Sequence, residues 1–504
     1  MTVLRSARPP GAVALDFEAV HELLASSFEV SVGPPAAVRR TVLDTFDRRL
    51  ARAGQRLEQI AEPGAARLEL ARSGQTLTHV LPGTGPRWPA MAAALPDGAL
   101  KDQVANLAGI RALLVVGESR RLVRRAELRN ADHKIVVRVD VDEPADGGTP
   151  PTTVVVRPLR GYQKEADRAR RLLAPLLEHA PVEQAAPAAE RRPAADPKAP
   201  ARTLLAAELT RFLETLRENL PGTIADIDTE FLHDVRVAIR RTRSLLKAGR
   251  PALPAHFPQV WEPQFKWLGD VTTPVRDLDV YQLGLPEMAG WLVAASPADL
   301  KPFGRHLARR RAAERRTLLR ALRSARLRRL LDDWPGELAE LAASAHSSDG
   351  TAWSAGSLAR STVTRAHRRV VRGGTAISDA SPPEELHVLR KRCKELRYAL
   401  EIFAPVLGDV QAHKAIKDLK SLQDVLGRFQ DSEVQSTTLR GFAHEMLADG
   451  VPVEALLAMG ELTGHLHAEQ QRARTEFGSA FASYLGPAGR RRMTRLLSDG
   501  KAAG

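Results

Sequence analysis

One short stretch of the chain carries a histidine and four cationic side chains at regular intervals. His233, Arg236, Arg240, Arg243 and Lys247 follow one another at spacings of three, four, three and four residues. Residues at these spacings share one face of an α-helix. Guanidinium groups bind phosphate oxygens in pairs, and a histidine beside them can donate a further hydrogen bond. The stretch therefore predicts a helix face that binds an anion.

The same pattern occurs again 154 residues further along the chain. His387, Arg390, Lys394 and Arg397 repeat the histidine and its cations, with Lys391 among them. A single cationic stripe is usually a solvated face, and a single histidine can simply pack between helices. Exposed positions tolerate change, so a solvated face would have no reason to keep matching cations in two copies. The duplication therefore favours anion binding.

Two pairs of acidic residues follow the histidines at a fixed distance along the chain. Asp277 and Asp431 lie 44 residues after their respective histidines, and Asp279 and Glu433 lie two residues further on. Paired carboxylates can serve as general acid and base, but no nucleophile or metal-ligand cluster accompanies these four in the sequence. We therefore expect them to orient neighbouring arginines through ion pairs or to cap helix starts.

A third cationic element lies between residues 301 and 329, where twelve Lys or Arg residues stand against one acid. Such a block favours polyanionic partners. Part of it roughly shares one helix face, which either lines the same groove as the two histidine stretches or is simply exposed, and we favour the groove. The residues concerned are His306, Arg309, Arg316, Arg320 and Arg323, and a similar group further on is Arg365, Arg368, Arg369 and Arg372.

The elements that must position these residues are helices. From 202 to about 497 the apolar residues recur at helical intervals, and prolines and glycines separate the helices. The duplication predicts an all-α bundle of two pseudo-twofold halves, at about 202–297 and 354–450. Separate helices are predicted at, among others, 258–271, 276–290, 298–331, 410–428 and 430–447.

The first 180 residues have a different character. Short stretches with alternating apolar residues are separated by turn signals such as Ser73-Gly74 and Gly147-Gly148. This pattern predicts an antiparallel, barrel-like or sandwich β domain over 1–180. Residues 181–201 are rich in alanine and proline, which predicts a semi-stiff linker before a helical domain at 202–497. The chain is therefore expected to be an α+β protein of two domains.

Composition limits the possible functions. The 504 residues carry a formal charge of +14, 43% are hydrophobic and 5% are aromatic. The single cysteine, Cys393, excludes an internal disulfide and lies on an apolar stripe, so we expect it to be packed. The sequence has no run of about 18 apolar residues and no secretory leader, which predicts no membrane span and a cytoplasmic location. It also has no phosphate-binding glycine loop and no dinucleotide fingerprint.

The helical part resembles the CHAD family, the conserved histidine α-helical domain. The resemblance rests on LHDVRVAIRRTRSLL from Leu232, LHVLRKRCKELRYALEIF from Leu386, PVRDLDV from Pro274 and LQDVLGRFQDSEV from Leu422, and on the basic helix after His306. It implies an internally duplicated, all-helical fold that binds inorganic polyphosphate. It also implies an association with polyphosphate granules.

The N-terminal part resembles a diverged CYTH domain, the triphosphate-tunnel barrel that often precedes CHAD. The resemblance lies in VLDTFDRRLARAGQRLE from Val42 and VVVRPLRGYQKEADRARRLL from Val154. The family's metal-binding strand reads E-x-E-x-K, whereas the stretch from Glu29 to Gly33 keeps only the first glutamate. A divalent metal needs several carboxylates, so we expect one here only if this domain is active. Four arginines are either remnants of a phosphate-lined tunnel or ordinary outward residues: Arg111, Arg124, Arg138 and Arg157.

Together these features predict a non-catalytic protein that binds inorganic polyphosphate in a basic groove of the helical domain, without a cofactor. One alternative is a metal-dependent inorganic triphosphatase in the N-terminal barrel. The other is nucleic-acid binding through the arginine-rich segments, which we consider unlikely because aromatic residues for base stacking are sparse there. The sequence makes no prediction of the oligomeric state.

Overall fold

The chain forms two compact units, Met1–Arg191 and Arg192–Gly504. The computed structural model describes residues 2–5, 17–72, 75–145, 152–177, 195–346 and 353–498. The division between the units falls within the stretch predicted as a linker, of which residues 181–194 lie outside the described residues. Residues 195–200 belong to the helical unit, where the Ala195 N–H donates to the Pro405 carbonyl at 3.0 Å.

The first unit is built on one antiparallel sheet with four helices. The helices are α1 (Phe17–Ala25), α2 (Arg49–Arg52), α3 (Ala99–Ala108) and α4 (Gln163–Leu177). The strands are β1 (Thr2–Arg5), β2 (Glu29–Val32), β3 (Ala36–Asp44), β4 (Gln55–Glu62), β5 (Ala65–Arg72), β6 (Gln75–Leu81), β7 (Ala90–Met91), β8 (Ala112–Arg129), β9 (Ile135–Pro144) and β10 (Thr153–Pro158).

The sheet is open. Its strands pair in the order β1-β10-β9-β8-β3-β4-β5-β6, and the long strand β8 also pairs with β2 and β7. The sheet curls into a half-barrel. It does not close within the described residues, because no pairing joins β1 to β6 there. Helices α1 and α4 pack on β9 and β10 through apolar residues such as Leu24, Val139 and Leu173. The antiparallel, barrel-like β unit predicted from the alternating residues is confirmed.

The second unit is helical, and its element boundaries show that the duplication is longer than predicted. Adding 154 residues to the first set of helices places each of them on a helix of the second set, so the repeat extends over about 201–343 and 355–497. The first set is α5 (Ala201–Ala225), α6 (Thr229–Gly249), α7 (His256–Ala289), α8 (Lys301–Leu322) and α9 (Ala325–Ala343). The second set is α10 (Ala355–Thr375), α11 (Pro383–Leu407), α12 (Asp409–Ala448), α13 (Val453–Tyr484) and α14 (Pro487–Leu497).

Some helix boundaries differ from the prediction. The segments 258–271 and 276–290 form one helix, α7, which continues through Pro263, Pro274 and Pro286. Likewise 410–428 and 430–447 form one helix, α12, whereas 298–331 divides into α8 and α9 at Ser324, whose hydroxyl caps α9. Tertiary packing of a long apolar face keeps a helix continuous where local sequence signals suggest a break.

The two histidine-bearing helices, α6 and α11, begin in different ways. Asp228 caps α6, and its carboxylate accepts hydrogen bonds from the backbone N–H groups of Glu230 and Phe231. Helix α11 instead begins at Pro383, whose missing N–H costs nothing in the first turn. Both helices bury the apolar stripe read from the sequence, and Cys393 is fully buried in the main core. The stripes therefore fix which side chains turn outward.

Two ion pairs join helices α6 and α11, and in both of them α6 supplies the cation and α11 the acid. Arg241 of α6 lies 3.3 Å from Glu401 of α11, and Lys247 of α6 lies 2.7 Å from Glu395 of α11. Position 395 is the repeat equivalent of 241, and position 401 is the equivalent of 247. The contact is thus pseudo-symmetric in position, with cations on one helix and acids on the other. Arg241 thus pairs with the repeat equivalent of Lys247, and Lys247 pairs with the repeat equivalent of Arg241.

The residues that the structure describes include no helix that is long and apolar enough to cross a membrane.

Candidate anion-binding site

Four cations at the junction of α6 and α11 have no carboxylate within 4.0 Å among the described residues. We call them the central cluster: Arg236, Arg240 and Arg243 of α6 and Lys394 of α11. All four were selected from the sequence as candidate anion ligands. Their charges are held on the protein but are not neutralised by it, which is what a bound anion requires.

Arg236 is fixed by neutral partners. Its Nη1 group donates to the Thr273 hydroxyl at 2.8 Å, to the Thr272 hydroxyl at 3.1 Å and to the Gly269 carbonyl at 3.2 Å. Burial is the main cause that lowers the pKa of Arg236. Asp277 opposes this shift, and the charge of Arg240 adds to it. The threonines of α7 therefore orient the guanidinium while leaving its charge available.

Arg240 is the cation that connects the two halves. Its guanidinium lies 5.4 Å from the ring centroid of Tyr398 on α11, and the guanidinium of Arg397 lies 5.3 Å from the same centroid. The two cations thus share one aromatic ring, which attracts both of them. Arg243, one turn further along α6, is exposed and lies near Gly269.

Lys394 carries the clearest electrostatic signature of this site. Burial, followed by the neighbouring charges of Arg390 and Arg240, lowers the pKa of Lys394 to about 8. Asp431 acts in the opposite direction, but it does not lie within ion-pair distance of the lysine in the described structure. The cations of the two helices are therefore close enough to repel one another. An anion placed among them would relieve that repulsion.

The two histidines occupy equivalent positions but have different surroundings. Burial and the charge of Arg276 lower the pKa of His233. In the second half His387 forms a hydrogen bond through Nδ1 with the side-chain oxygen of Gln430. Gln430 is the repeat equivalent of Arg276, so a neutral partner replaces a cation. His387 therefore has a packing partner, whereas no hydrogen bond of the His233 ring appears among the described contacts.

Other predicted ligands are already paired with acids. Arg390 lies 2.7 Å from Asp431, Arg397 lies 3.2 Å from Glu401, and Lys247 lies 2.7 Å from Glu395. These three side chains lie beside the central cluster, with their charges partly neutralised. Lys391 is exposed next to them on α11.

The four acids that follow the histidines lie in helix interiors, so they do not cap helix starts. Asp431 pairs with Arg390, and Asp279 is fully buried with its Oδ1 at 2.5 Å from Arg311 of α8. Glu433 accepts a hydrogen bond from Gln430 at 3.2 Å, and burial raises the pKa of Asp277. Asp431 and Asp279 thus pair with arginines, whereas Glu433 contacts a neutral glutamine.

The residues predicted on α8 do not join the central cluster, which corrects our expectation of a shared groove. His306 is buried, with its Nε2 at 3.1 Å from Glu445, and Arg309 lies 3.2 Å from Asp449. Arg316 and Arg320 line a separate cleft of about 740 Å³ together with Arg323. The reason is that α8 packs against α7 and α13, so its cations reach acids of α7, of α12 and of the α5 end, or solvent.

A cleft of about 1020 Å³ opens from the cluster between α6, α7, α10 and α11. We call it the central cleft. Seven cations and two carboxylates line it, and Tyr398 contributes an aromatic wall. The charged residues are Arg240, Arg243, Lys247, Arg250, Lys266, Arg365, Arg369, Glu262 and Glu395.

Sequence reasoning missed several residues that shape this site. Arg276 acts on His233 and its Nη1 donates to the Thr229 carbonyl at 3.0 Å, and Glu395 bridges Lys247 and Arg369. Arg276 sits directly beside the selected Asp277 in the repeated segment, which was an available signal. Tyr398 and Glu395 carried no such signal, because their partners belong to another helix.

The charged residues of the half-barrel pair with one another. Asp142 accepts from Arg121 at 2.5 Å and lies 2.6 Å from Arg40, which also reaches Glu58 at 2.9 Å. Glu29, the glutamate kept from the metal-binding pattern, is exposed and contacts His133 at 2.6 Å. The four arginines noted from the sequence also have acidic neighbours: Arg111 with Asp47, Arg124 with Glu143, Arg138 with Glu127 and Arg157 with Asp140.

These surroundings do not fit a divalent metal. Among the described residues no group of three His, Cys, Asp or Glu side chains is arranged to hold a metal ion. Asp142 and Glu58 each have two arginine partners, which a metal would have to displace. A metal site needs several free carboxylate oxygens.

Comparison with known proteins places the helical unit in a family. The family model of the CHAD domain matches residues 207–440. An uncharacterized protein of Mycobacterium tuberculosis strain H37Rv is 32% identical over 216 residues, which cover 40% of this chain and 38% of that protein. The match therefore spans well under half of this relative's length.

Two solved structures are similar to the chain. The CHAD domain of the plant Ricinus communis has 24% sequence identity and a TM-score of 0.49, covering 60% of this chain and 98% of that one. PptA from Streptomyces chartreusis has 20% identity and a TM-score of 0.42, covering 56% of this chain and 99% of that one.

Proposed function

Given that residues 207–440 form a CHAD domain, we propose that this protein binds inorganic polyphosphate at the central cluster. The observation that carries the proposal is that Arg236, Arg240, Arg243 and Lys394 converge from both halves without acidic partners in the described structure. The proposal includes no catalytic step and no cofactor.

The chemistry of the cluster matches a linear polymer of phosphates. Such a polymer carries about one negative charge per unit and has no base edges, so a binder needs dense, fixed cations. Arg236 and Arg240 are held in place by threonines and by an aromatic ring, which reduces the entropy lost on binding. Burial is the main cause of the lowered pKa of Lys394, and the charges of Arg390 and Arg240 add to it, an unfavourable effect that a bound polyanion would relieve.

Nucleic acid fits this site less well. Single-stranded nucleic acid is bound through aromatic side chains on which bases stack. Tyr398 is the aromatic residue that lines the central cleft, it is only 6% exposed, and two guanidiniums lie against its ring. The ring is therefore already occupied. We expect polyphosphate to compete effectively against both duplex and single-stranded nucleic acid.

Binding of long-chain polyphosphate to the full chain tests the proposal. The variant Arg236→Glu/Arg240→Glu/Arg390→Glu/Lys394→Glu should lose at least ~100-fold in affinity, because several charge-assisted contacts become repulsive. The matched control Arg305→Glu/Arg316→Glu/Arg320→Glu/Arg323→Glu makes the same change in net charge on α8 and should stay within a few-fold of the parent. Unfolding temperatures should establish that both variants are folded. Equal losses in the two variants, or no loss in the first, would refute the assignment.

For the half-barrel we propose a non-catalytic role. Supporting this proposal, Asp142 and Glu58 are paired with arginines that a metal-dependent triphosphatase would have to displace to free these oxygen ligands. Phosphate release from triphosphate with Mg²⁺ or Mn²⁺ should therefore not exceed the rate without protein. Turnover that disappears in the variant Glu29→Gln would favour the rival activity instead. The family resemblance also implies an association with polyphosphate granules. Fluorescence microscopy of a tagged chain in polyphosphate-rich cells should then show the chain on the granules.

A further inference from the structure

Helix α10 presents five arginines on a surface that adjoins the central cleft. Arg360, Arg365, Arg368, Arg369 and Arg372 line a second cleft of about 870 Å³, which we call the α10 cleft. No carboxylate lines this cleft among the described residues. A cleft lined by one sign of charge raises the local concentration of oppositely charged ligands.

The two clefts adjoin each other and share part of their lining. Arg365 and Arg369 line both of them, with Arg369 reaching Glu395 at 3.0 Å on the side of α11. Arg365, Arg368 and Arg372 are exposed and repeat at helical spacing on one face of α10. From Arg360 to Arg372 this face is about 18 Å long, at about 1.5 Å per residue. The cationic surface therefore leads away from the central cluster along one helix.

We propose that the α10 cleft is a second binding segment for the same polymer, so that the protein selects long polyphosphate chains over short ones. This inference rests on the proposed function, because the central cluster must hold the polymer first. A chain of three phosphates makes all its contacts at the central cluster. A long chain continues through the central cleft onto α10 and gains further contacts within a single binding event.

The charges around Glu395 fit this path. Glu395 lies between Lys247 and Arg369, and it is an acid at the passage from the central cleft to α10. A polymer that enters this passage would compete with Glu395 for both cations. A long polymer that is already held at the central cluster can displace Glu395 from both cations within one binding event. A small anion has to displace the acid without that additional hold.

The test compares triphosphate and long-chain polyphosphate on three forms of the full chain. The variant Arg368→Glu/Arg372→Glu, at two arginines that line the α10 cleft and not the central cleft, should lose at least about tenfold in affinity for the long polymer and change by less than about twofold for triphosphate. The matched control Arg316→Glu/Arg320→Glu reverses two exposed arginines of the separate α8 cleft and should leave both affinities within about twofold. Because a long polymer offers more registers to any site, variants are compared with each other on one polymer.

The outcomes separate the two proposals. If the parent protein binds neither ligand, the proposed function fails. If it binds both, but the α10 variant binds the long polymer as the parent does or loses both ligands equally, the second segment is refuted alone. The same holds if the α8 control loses as much long-chain affinity as the α10 variant, since the effect would then be one of overall charge. Thermal unfolding of each variant should match the parent, because all four arginines are exposed.

Discussion

Lys394 is the residue whose titration should govern anion binding near neutral pH. Its position among Arg240 and Arg390 and its partial burial lower its pKa to about 8. The free protein therefore loses this charge as the pH rises through 8, whereas a bound polyanion favours the charged form. Affinity is then highest below pH 8 and falls above it.

We expect the affinity for polyphosphate to fall by roughly tenfold between pH 7 and pH 9, since only about a tenth of Lys394 stays charged at pH 9. Isothermal titration across this range measures the effect. The variant Lys394→Arg keeps its charge throughout the range and should lose most of the dependence. A parent curve that is flat, or one that Lys394→Arg reproduces, contradicts the role given to this lysine.

Glu395 should act as an internal competitor of the ligand. It neutralises Lys247 and Arg369, and the three side chains are 33%, 60% and 39% exposed. The variant Glu395→Gln should raise polyphosphate affinity about fivefold, while the loss of these solvent-screened pairs costs at most about 1 kcal/mol of stability. Binding and thermal unfolding measure the two effects.

The matched control is Glu469→Gln. Glu469 also pairs with two arginines, Arg428 at 3.0 Å and Arg472 at 2.6 Å, but it lies on α13 away from the central cleft. Both substitutions change the net charge by the same amount. If they raise affinity equally, the gain is a general effect of charge and Glu395 has no special position.

At the residue scale the sequence predicted which cations could bind but not which are free. The spacing of His233, Arg236 and Arg240 requires a shared helix face, and the structure places them on α6 as that spacing demands. Whether a cation is neutralised depends on acids from distant segments. His306 meets Glu445, 139 residues away, and no local pattern encodes that contact.

Helix contacts at the next scale depend on small residues that allow close approach. Gly374 of α10 lies against the ring of Phe481 on α13, and a Cβ atom at this position would overlap that ring. Gly464, inside α13, has no other side chain within 4 Å of the corresponding position. These two glycines occupy similar helical backbone but opposite packing environments.

The substitution Gly374→Ala should therefore destabilise the helical unit by about 1–3 kcal/mol, because overpacking outweighs the gain in helix propensity. Gly464→Ala should stabilise it by roughly 0.5–1 kcal/mol, since only the propensity changes. Thermal unfolding followed by circular dichroism distinguishes them. Stabilisation by both alanines would show that α10 and α13 can separate at no cost.

The helices were predictable in kind but not in extent. The repeated LHDVRVAIRR and LHVLRKRCKE stretches established the duplication of α6 in α11. Helices α8 and α13 are equivalent in position but not in sequence, since α8 is rich in arginine and α13 is not. For this reason the full length of the repeat could be recognised from the helix boundaries but not from the sequence.

Across the whole molecule the two units use their charges differently. In the half-barrel the arginines and carboxylates neutralise one another, as Asp142 does with Arg40 and Arg121. In the helical unit the central cluster and the α10 cleft leave cations available. The excess charge of +14 favours an anionic ligand but does not indicate which unit would bind it.

This difference predicts that Asp142→Asn damages the half-barrel without changing polyphosphate affinity. The side chains of Asp142 and Arg121 are 3% and 2% exposed, so removing the carboxylate charge from this buried ion pair should cost about 3–5 kcal/mol. Thermal unfolding and binding of the same variant measure the two quantities. Asp97→Asn, at a carboxylate that is 98% exposed, is the control and should leave unfolding unchanged. A loss of affinity in Asp142→Asn would assign part of the binding site to the half-barrel.

The crossed ion pairs between α6 and α11 make the two halves non-interchangeable. Two copies of the first half, brought together in the same geometry, would place Arg241 of one copy against Lys247 of the other, twice over. Two copies of the second half would oppose Glu395 and Glu401 in the same way, although Arg369 and Arg397 of that half also pair with these acids. The first half therefore carries the stronger repulsion against a copy of itself. The crossed pairs favour the combination of the two different halves that the chain contains.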